Sequence, residues 1–138
     1  MSAAPAGYSG TPLPKRLGIK PGTRIAPVSA PADFEDTLGD LPEAVTLSNR
    51  LRGKVDVFVF FPRNAADLAR RLPTLAARLD PAGGLWVAWP KKSSGVATDL
   101  DFSVVQAAGL AAGLVDNKVC AISEIHSGLR FVYRLSDR

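Results

Sequence analysis

Two short runs of apolar residues stand out along the chain, and each predicts a strand that is buried on both faces. The first is VDVFVFF, within Lys54–Phe61, in which Asp56 is the one acidic residue. The second is LWVAW, at Leu85–Trp89, which Pro90 ends. Side chains of a strand alternate between its two faces, so a run that is apolar at nearly every position is typical of a parallel strand inside a sheet.

Between these runs, residues 65–79 carry leucines at helical spacing and predict an amphipathic helix. Asn64 stands immediately before this segment, where its side chain can accept a backbone hydrogen bond as the N-cap. Pro73 lies inside the segment and predicts a kink or a break, because proline lacks the N–H that an inner helical turn needs.

A second helix is predicted over Asp99–Ala112. Thr98 with Asp101 three residues later has the spacing of a capping box, with aspartate in place of glutamate. Gly113 follows the segment and predicts a C-terminal cap. The small residues of this helix suit close packing against a sheet.

The last two strands are predicted at Lys118–Ile125 and Leu129–Leu135, joined as a hairpin by a turn at Ser127-Gly128. Shorter patterns predict four more elements: a strand at Thr23–Ser29, a helix at Ala32–Leu41, a strand at Ala44–Leu47 and a turn at Asp80–Gly84. Strands therefore alternate with helices along the chain, which predicts an α/β fold with helices on both faces of a sheet and right-handed crossovers.

Residues 1–22 are rich in proline and glycine and predict little regular structure. We expect residues 1–6 to be disordered and residues 7–22 to form an arm that lies on the body; a plain flexible tail is the alternative. The apolar side chains of this arm are Tyr8, Leu13, Leu17 and Ile19. Residues 23–138 then form a single domain, because a chain of 138 residues is long enough for one hydrophobic core and too short for two.

The charge is unevenly distributed. The 17 lysine and arginine residues exceed the 13 aspartate and glutamate residues, which gives a net charge of +4. Residues 1–32 contain four basic residues and no acidic one, so they carry the whole excess and residues 33–138 are neutral overall. A neutral body argues against a nucleic-acid platform.

The residue types of the chain argue against secretion, membrane contact, a disulfide and a zinc site. Met1–Gly10 lacks the apolar core of a secretory signal and no apolar run reaches about 18 residues, so we expect a cytoplasmic protein that does not contact a membrane. With one histidine and one cysteine, we expect no disulfide and no structural zinc. We interpret Cys120 as a small buried hydrophobe and His126 as an exposed turn residue; a reactive thiol is the alternative for Cys120. No catalytic residue and no cofactor is predicted.

The segment Val55–Tyr133 resembles the second half of a class I methyltransferase domain. VDVFVFF is similar to the fourth strand of that fold, and LPTLAARLDPAGGLWVAWP is similar to its next helix, turn and fifth strand. This resemblance implies a three-layer, Rossmann-like fold with a mostly parallel sheet of about six strands and a C-terminal antiparallel hairpin.

The whole chain resembles a small bacterial family known only as a domain of unknown function. The similar stretches are GYSGTPLPKRLGIKPG, GLWVAWPKKSSGVATDL, GLVDNKVCAI and SGLRFVYR. The resemblance implies a bacterial α/β domain and implies no activity.

The cofactor half departs from the methyltransferase pattern. That family binds S-adenosylmethionine with a glycine-rich turn after its first strand and an acidic residue after its second. Here the first strand leads into Val28-Ser29-Ala30-Pro31-Ala32, and the second ends in Ser48-Asn49-Arg50. The absence of a glycine and of the acid works against that cofactor.

The best candidate site is the loop that follows the second apolar run. It comes after the carboxyl end of a buried strand and before a helix, which is where open α/β sheets bind ligands. Its two ammonium groups, two hydroxyls and flexible glycine predict an anion cradle, formed by Lys91, Lys92, Ser93, Ser94 and Gly95. If the neighbouring strands are adjacent, Ser29 and Arg63 join the same rim, and Trp89 can stack on a ring. A solvated loop is the alternative.

Three hypotheses follow. The first is a non-enzymatic binding or regulatory domain for a small anion or a nucleotide-like ligand, on a degenerate Rossmann-like scaffold. The second is a small methyltransferase-like transferase with an atypical cofactor site. The third is a module that binds a protein partner or a nucleic acid through the basic arm. The sequence leaves catalysis and a homodimer open.

Overall fold

The computed structural model describes residues 10–138, so the predicted disordered segment 1–6 and Tyr8 of the predicted arm lie outside the described residues. The strands are β1 Arg24–Val28, β2 Thr46–Leu47, β3 Val55–Phe60, β4 Leu79–Pro90, β5 Leu114–Ala121 and β6 His126–Tyr133. The helices are α1 Leu13–Arg16, α2 Phe34–Leu38, α3 Ala65–Arg78 and α4 Phe102–Ala111, with short 3-10 turns at Lys92–Ser94 and Leu135–Asp137.

The six strands form one sheet in the order β2-β1-β3-β4-β6-β5. Strands β2, β1, β3 and β4 are parallel to their neighbours, whereas β6 is antiparallel to both β4 and β5. This confirms the predicted α/β class, with a mostly parallel sheet of six strands and an antiparallel C-terminal pair.

A hydrophobic core lies on each face of the sheet. Helices α3 and α4 pack on one core, which takes Phe58, Phe60 and Trp89 from the sheet. Helices α1 and α2 pack on the other core, which takes Val59 and Trp86. Trp86 and Trp89 therefore face opposite sides of β4, as their spacing of three residues predicts.

The expectation of little regular structure at the N-terminus is wrong at Leu13–Arg16, which forms α1. Pro12 is its N-cap and Pro14 lies in its first turn, where the missing N–H of proline breaks no helical hydrogen bond. Leu13, Leu17 and Ile19 are buried against the second core. The indole Nε1 of Trp86 donates to the Leu17 carbonyl at 3.1 Å, which fixes this segment on the sheet.

Helix α3 begins as predicted and remains unbroken at its proline. The Asn64 side chain accepts a hydrogen bond from the Asp67 N–H at 2.8 Å, which confirms the N-cap. The predicted break at Pro73 is wrong, because one helix runs from Ala65 to Arg78. Pro73 and Ala69, whose carbonyl would bond to residue 73 in a regular helix, are both exposed, so water can replace that bond.

The capping box at the start of α4 is wrong in its detail. The helix begins at Phe102, and the Asp101 carboxylate is the N-cap, accepting from the Val104 N–H at 2.9 Å. The Thr98 hydroxyl accepts from the Leu100 N–H at 3.1 Å and so closes the turn before the helix. Gly113, with a φ of 87°, follows the C-cap as predicted.

Two predicted turns are wrong because their glycines serve close packing. Gly128 lies inside β6, where an added Cβ would come within 2.7 Å of the Ile122 side chain. The hairpin turn is earlier, and the Ser123 hydroxyl accepts from the N–H groups of both residues 125 and 126. Asp80–Gly84 lies within β4, where the register shifts between Leu79 and Gly84 and a Cβ on Gly83 would collide with the Asp56 carbonyl.

Candidate functional site

The predicted rim residues lie at the carboxyl edge of the parallel strands. Strand β3 pairs with β1 on one side and with β4 on the other. Ser29 follows the end of β1, Arg63 comes three residues after β3 ends, and Lys91 follows the end of β4. The chain runs from β1 to β2 in one direction and from β3 to β4 in the other, so a topological switch point lies between β1 and β3 at this edge. Open α/β sheets bind ligands at such points.

An open cleft lies beyond the end of β4. It consists of two adjoining hollows of about 460 Å³ and 300 Å³, which share Pro90, Lys92, Leu100 and Asp101. The residues specific to one hollow are Gly95, Val96, Ala97, Thr98 and Asp99, and those specific to the other are Trp89, Phe102 and Ser103. The cleft therefore lies between the carboxyl end of β4 and the start of α4.

The rings of Trp89 and Phe102 form the apolar part of this cleft. Their centroids are 6.4 Å apart and the rings meet edge to face at 74°. Trp89 is 7% exposed, whereas Phe102 is 40% exposed. Trp89 thus supports the ring of Phe102, and Phe102 offers the accessible surface.

The loop from Lys91 to Asp101 is held by its own backbone and by α3. The Lys91 N–H donates to the Ile125 carbonyl at 2.8 Å, and the Ser94 hydroxyl donates to the Lys91 carbonyl at 2.6 Å. Gly95 has a φ of 77°, a left-handed conformation that glycine adopts without strain. Farther along, Asp99 accepts from the Ala65 N–H at 2.9 Å and joins the loop to the N-terminus of α3.

The predicted rim separates into two places. Trp89, Lys92 and Gly95 line the cleft, whereas Ser29 and Arg63 are absent from its lining. Ser93 is exposed on the 3-10 turn, and the hydroxyl of Ser94 is used inside the loop. Lys91 is half-buried, and its charge acts on the imidazole of His126.

Ser29 belongs to a polar link between β1 and α3. Its hydroxyl accepts from the Arg71 guanidinium at 2.9 Å, and its φ is 55°, which is strained for a residue with a Cβ. Arg71 lies over the Phe60 ring, 5.1 Å from the centroid, and 3.6 Å from a carboxylate oxygen of Asp67. The i, i+4 spacing of Asp67 and Arg71 is the sequence signal that could have identified this pair.

Asp67 is the buried carboxylate of this link, with 6% of its side chain exposed. The hydrogen bond from the Arg63 N–H lowers the pKa of Asp67, burial opposes that effect, and the nearby Arg70 and Arg71 lower it further. The carboxylate is therefore ionised and fully engaged. Arg63 contributes its backbone here, while its side chain is exposed.

The interpretation of His126 as an exposed turn residue is wrong. It is half-buried at the start of β6, and its ring meets that of Phe61 edge to face, with centroids 5.1 Å apart. Burial lowers the pKa of His126, while the charge of Asp33 raises it and that of Lys91 lowers it. The imidazole is thus neutral at pH 7.

Cys120 is half-buried and packs against the second core, so it is less enclosed than predicted. Burial raises the pKa of its thiol, and the charges of Arg16 and Lys118 oppose that change. The thiol is therefore protonated at pH 7 and a poor nucleophile.

Residues 10–138 contain no group of three or more histidine, cysteine, aspartate or glutamate side chains placed to hold a metal ion. In the same range, no helix is long and apolar enough to cross a membrane.

No protein-family model matches the chain, and no curated protein matches it either. The membership of the small bacterial family therefore stays a prediction.

Solved structures of methyltransferases share the fold. Magnesium protoporphyrin IX methyltransferase from Synechocystis, solved with bound S-adenosylmethionine, superposes with a TM-score of 0.60 over 88% of this chain and 74% of its own, at 13% identity. A putative methyltransferase from Thermoplasma acidophilum gives 0.57 over 92% and 76%, at 10% identity. A SAM-dependent methyltransferase from Aquifex aeolicus gives 0.57 over 85% of each chain, at 14% identity. The fold of this chain is therefore Rossmann-like and methyltransferase-like.

The residues at the cofactor position do not fit S-adenosylmethionine. In place of a glycine turn, the exit of β1 has Ser29, Ala30 and Pro31, and the Ser29 side chain is bonded to Arg71. Strand β2 has two residues and leads to Ser48, whose hydroxyl accepts from the Arg50 N–H at 3.0 Å. No carboxylate stands there to accept from the ribose hydroxyls.

Proposed function

We propose that this protein is a ligand-binding domain that holds a small, nucleotide-like anion in the cleft beyond β4. The observation that carries the proposal is the cleft itself, in which an accessible aromatic ring, Phe102, and a free ammonium group, Lys92, line one depression at the ligand-binding edge of the sheet.

The apolar part of the cleft suits a flat ring. Phe102 is 40% exposed, and the buried ring of Trp89 contacts it edge to face. Leu100 is 5% exposed and extends the apolar floor. A ring that stacks on a pre-positioned aromatic side chain gains contact area at little entropic cost.

The polar part of the cleft suits an anion that also carries hydroxyl groups. The Lys92 side chain is exposed and makes no hydrogen bond or ion pair within residues 10–138, so its ammonium is available for a phosphate. Asp99 and Asp101 each accept a backbone N–H through one oxygen, which leaves the second oxygen free to accept from a hydroxyl. A ring, hydroxyls and a phosphate together describe a nucleotide.

Thermal unfolding in the presence of single ligands tests the proposal. The ligands are phosphate, sulfate, mononucleotides, S-adenosylmethionine and S-adenosylhomocysteine. A ligand that binds the folded state alone adds about 2.7 kcal/mol at a hundredfold excess over its Kd, which raises the Tm by several degrees at this chain length. We expect a mononucleotide to do this, and Lys92→Ala and Phe102→Ala each to abolish the shift. Lys20→Ala, an exposed lysine of the other face, is the matched control. No shift from any nucleotide, or a shift that survives both variants, would overturn the proposal.

The structural neighbours favour a second function, methyl transfer. Each of the three superposed proteins is described as a methyltransferase, and they superpose on this chain with TM-scores of 0.57, 0.60 and 0.57. Isothermal titration calorimetry with S-adenosylmethionine distinguishes methyl transfer from the binding of a nucleotide-like anion in the cleft. Uptake of S-adenosylmethionine that Ser29→Trp abolishes and Lys92→Ala leaves intact would support methyl transfer, because that pattern assigns the ligand to the exit of β1.

A further inference from the structure

The neutral charge of the body conceals two separated patches. Residues 33–43 contain five acidic residues and no basic one, residues 44–78 contain seven basic residues and two acidic ones, and residues 79–138 contain six of each. Helix α2, in the acidic segment, packs on one face of the sheet, and α3, in the basic segment, packs on the other. The acidic helix α2 and the basic helix α3 therefore lie on opposite faces of the sheet.

The basic patch is concentrated at the amino-terminal edge of the sheet, opposite the cleft. Arg24 starts β1, the loop 50–54 leads into β3, and Arg78 ends α3. We call this group the basic edge: Arg24, Arg52, Lys54 and Arg78 stand at that edge, and Arg50 precedes them in the loop that returns to it from the end of the short strand β2. Its members are thus Arg24, Arg50, Arg52, Lys54 and Arg78. Arg50, Arg52 and Lys54 are exposed, and Arg24 and Arg78 are half-buried.

Backbone carbonyls hold three of these cations together. The Arg24 guanidinium donates to the carbonyls of Lys54 at 2.6 Å and Arg52 at 2.7 Å. The Lys54 ammonium donates to the Ala77 carbonyl at 3.0 Å. The Arg78 guanidinium donates to the carbonyls of residues 51 and 53. The side chains are thus fixed around one loop before any ligand arrives, which reduces the entropic cost of binding.

No carboxylate neutralises the basic edge. Within residues 10–138, none of its five members forms an ion pair with an acidic side chain. Of the two acids of the segment 44–78, Asp56 stands at this edge, where it accepts the Arg24 backbone N–H at 2.8 Å and forms no ion pair with a described guanidinium. Asp67 is buried against Arg70 and Arg71. Like charges gathered without counter-charges repel one another, and a bound anion relieves that repulsion.

The patch is longer than a single phosphate. Arg70, whose side chain is 71% exposed, lies eight residues before Arg78 on α3, which corresponds to about 12 Å along the helix. The Arg70 guanidinium donates to Asp67 at 2.8 Å through one nitrogen, and those of Arg24 and Arg78 donate to backbone carbonyls. Each guanidinium has five N–H groups, so the remaining ones can donate to phosphate oxygens. The large exposed hydrophobic residues of the described chain all lie outside this patch, so contacts to stacked bases play no part.

We propose that the basic edge, extended along α3 to Arg70, binds the phosphate backbone of a nucleic acid without reading its sequence. The site is independent of the cleft, because it lies at the opposite edge of the sheet. Helix α2, with Glu35 and Asp36 in its first turn, lies on the other face and disfavours a second contact there, which orients the protein on the polyanion.

Fluorescence anisotropy of a labelled duplex of 24 base pairs tests the proposal over a range of salt concentrations. The full chain should bind with an affinity that falls steeply as salt rises. The test variant is Arg50→Glu with Arg52→Glu, whose exposed side chains form no hydrogen bond or ion pair with the described residues, so we expect the fold to be retained. We expect a loss of at least tenfold in affinity and a salt slope smaller by about two.

The matched control is Lys15→Glu with Lys20→Glu, which makes the same change in net charge on exposed residues of the N-terminal segment that are not members of the basic edge. This control should bind as the unaltered chain does, and circular dichroism melts should show that both variants fold. Four results would overturn the proposal: no binding by the unaltered chain at 50 mM salt, equal losses in the two variants, a loss confined to the control, or tighter binding to vesicles of anionic lipid than to the duplex. Equal losses, or a loss confined to the control, would assign any binding to net charge or to the N-terminal arm.

Discussion

The Arg71 guanidinium donates to the Ser29 hydroxyl at 2.9 Å and so joins α3 to the exit of β1. This contact lies where methyltransferases of the same fold carry their cofactor turn. Ser29 holds its left-handed conformation there although it has a Cβ, and the bond to Arg71 helps to maintain it. The link therefore gives this chain a fixed polar contact at the position of a flexible glycine.

Two substitutions separate the effect of the Ser29 backbone conformation on stability from the effect of its side-chain hydrogen bond. Ser29→Ala and Ser29→Gly lose the same hydroxyl, but glycine adopts a φ of 55° without strain. We expect the glycine variant to be more stable than the alanine variant by about 1 kcal/mol, as measured by urea unfolding. Equal stabilities would mean that the left-handed conformation is lost in both.

The pKa of Asp67 predicts a dependence of stability on pH. Because the folded state lowers this pKa, the contribution of Asp67 is present above the ordinary pKa of an aspartate and is lost as the pH falls through the folded value. Asp67→Asn should reduce the free energy of unfolding at pH 7 by about 1–2 kcal/mol and flatten the acid limb. Unfolding by urea between pH 7 and pH 2 measures both. Parallel acid limbs in the two proteins would contradict this role.

The pKa of His126 predicts a second dependence on pH, near neutrality. Burial lowers this pKa in the folded state, so the unfolded chain takes up its proton first as the pH falls. Stability should therefore be full above the ordinary pKa of histidine, about 6.5, and decline as the pH drops toward the folded value. The protein has one histidine, so its imidazole resonances in an NMR titration need no assignment. A midpoint at or above 6.5 would refute the prediction, and His126→Phe should remove the decline.

The N-cap of α4 predicts unequal effects at two neighbouring polar residues. Asp101→Ala removes the side chain that accepts from the Val104 N–H and should cost about 1 kcal/mol of stability. Thr98→Ala removes a bond in the preceding turn and should cost less than half of that. Thermal unfolding of the two variants under one condition decides between this arrangement and a capping box centred on Thr98.

Local sequence patterns were sufficient to predict the helices and strands whose burial follows one clear hydrophobic pattern. The apolar run at Val55–Phe60 and the leucine stripe with Asn64 before it identify β3 and α3, because burial on two faces or on one stripe leaves a direct mark on the sequence. The glycines of β4 and β6 were wrongly interpreted as turns, because the contacts that require them leave no local pattern in the sequence. Gly83 and Gly128 are small because another segment, remote in sequence, lies against them.

The candidate site was only partly predictable for the same reason. The position of the loop after β4 follows from strand order, and Trp89, Lys92 and Gly95 do line a cleft there. Phe102 lines the cleft because α4 begins at that residue. The sequence offered both Thr98 and Asp101 as the residue that caps the helix, so it did not fix this starting point. The contact between Ser29 and Arg71 joins residues 42 apart and requires the folded sheet.

The sequence by itself determined the class of fold and the total charge, because hydrophobic periodicity and residue counts are properties of the chain alone. It also predicted, from strand order, the edge of the sheet at which we propose that a ligand binds. Only the tertiary structure decided which polar side chains meet and where charge gathers. Arg24, Arg52 and Arg78 are far apart in sequence and come together around one loop because β1, β3 and α3 pack side by side. Contacts between distant segments depend on the geometry of packing, and no local pattern in the chain records that geometry.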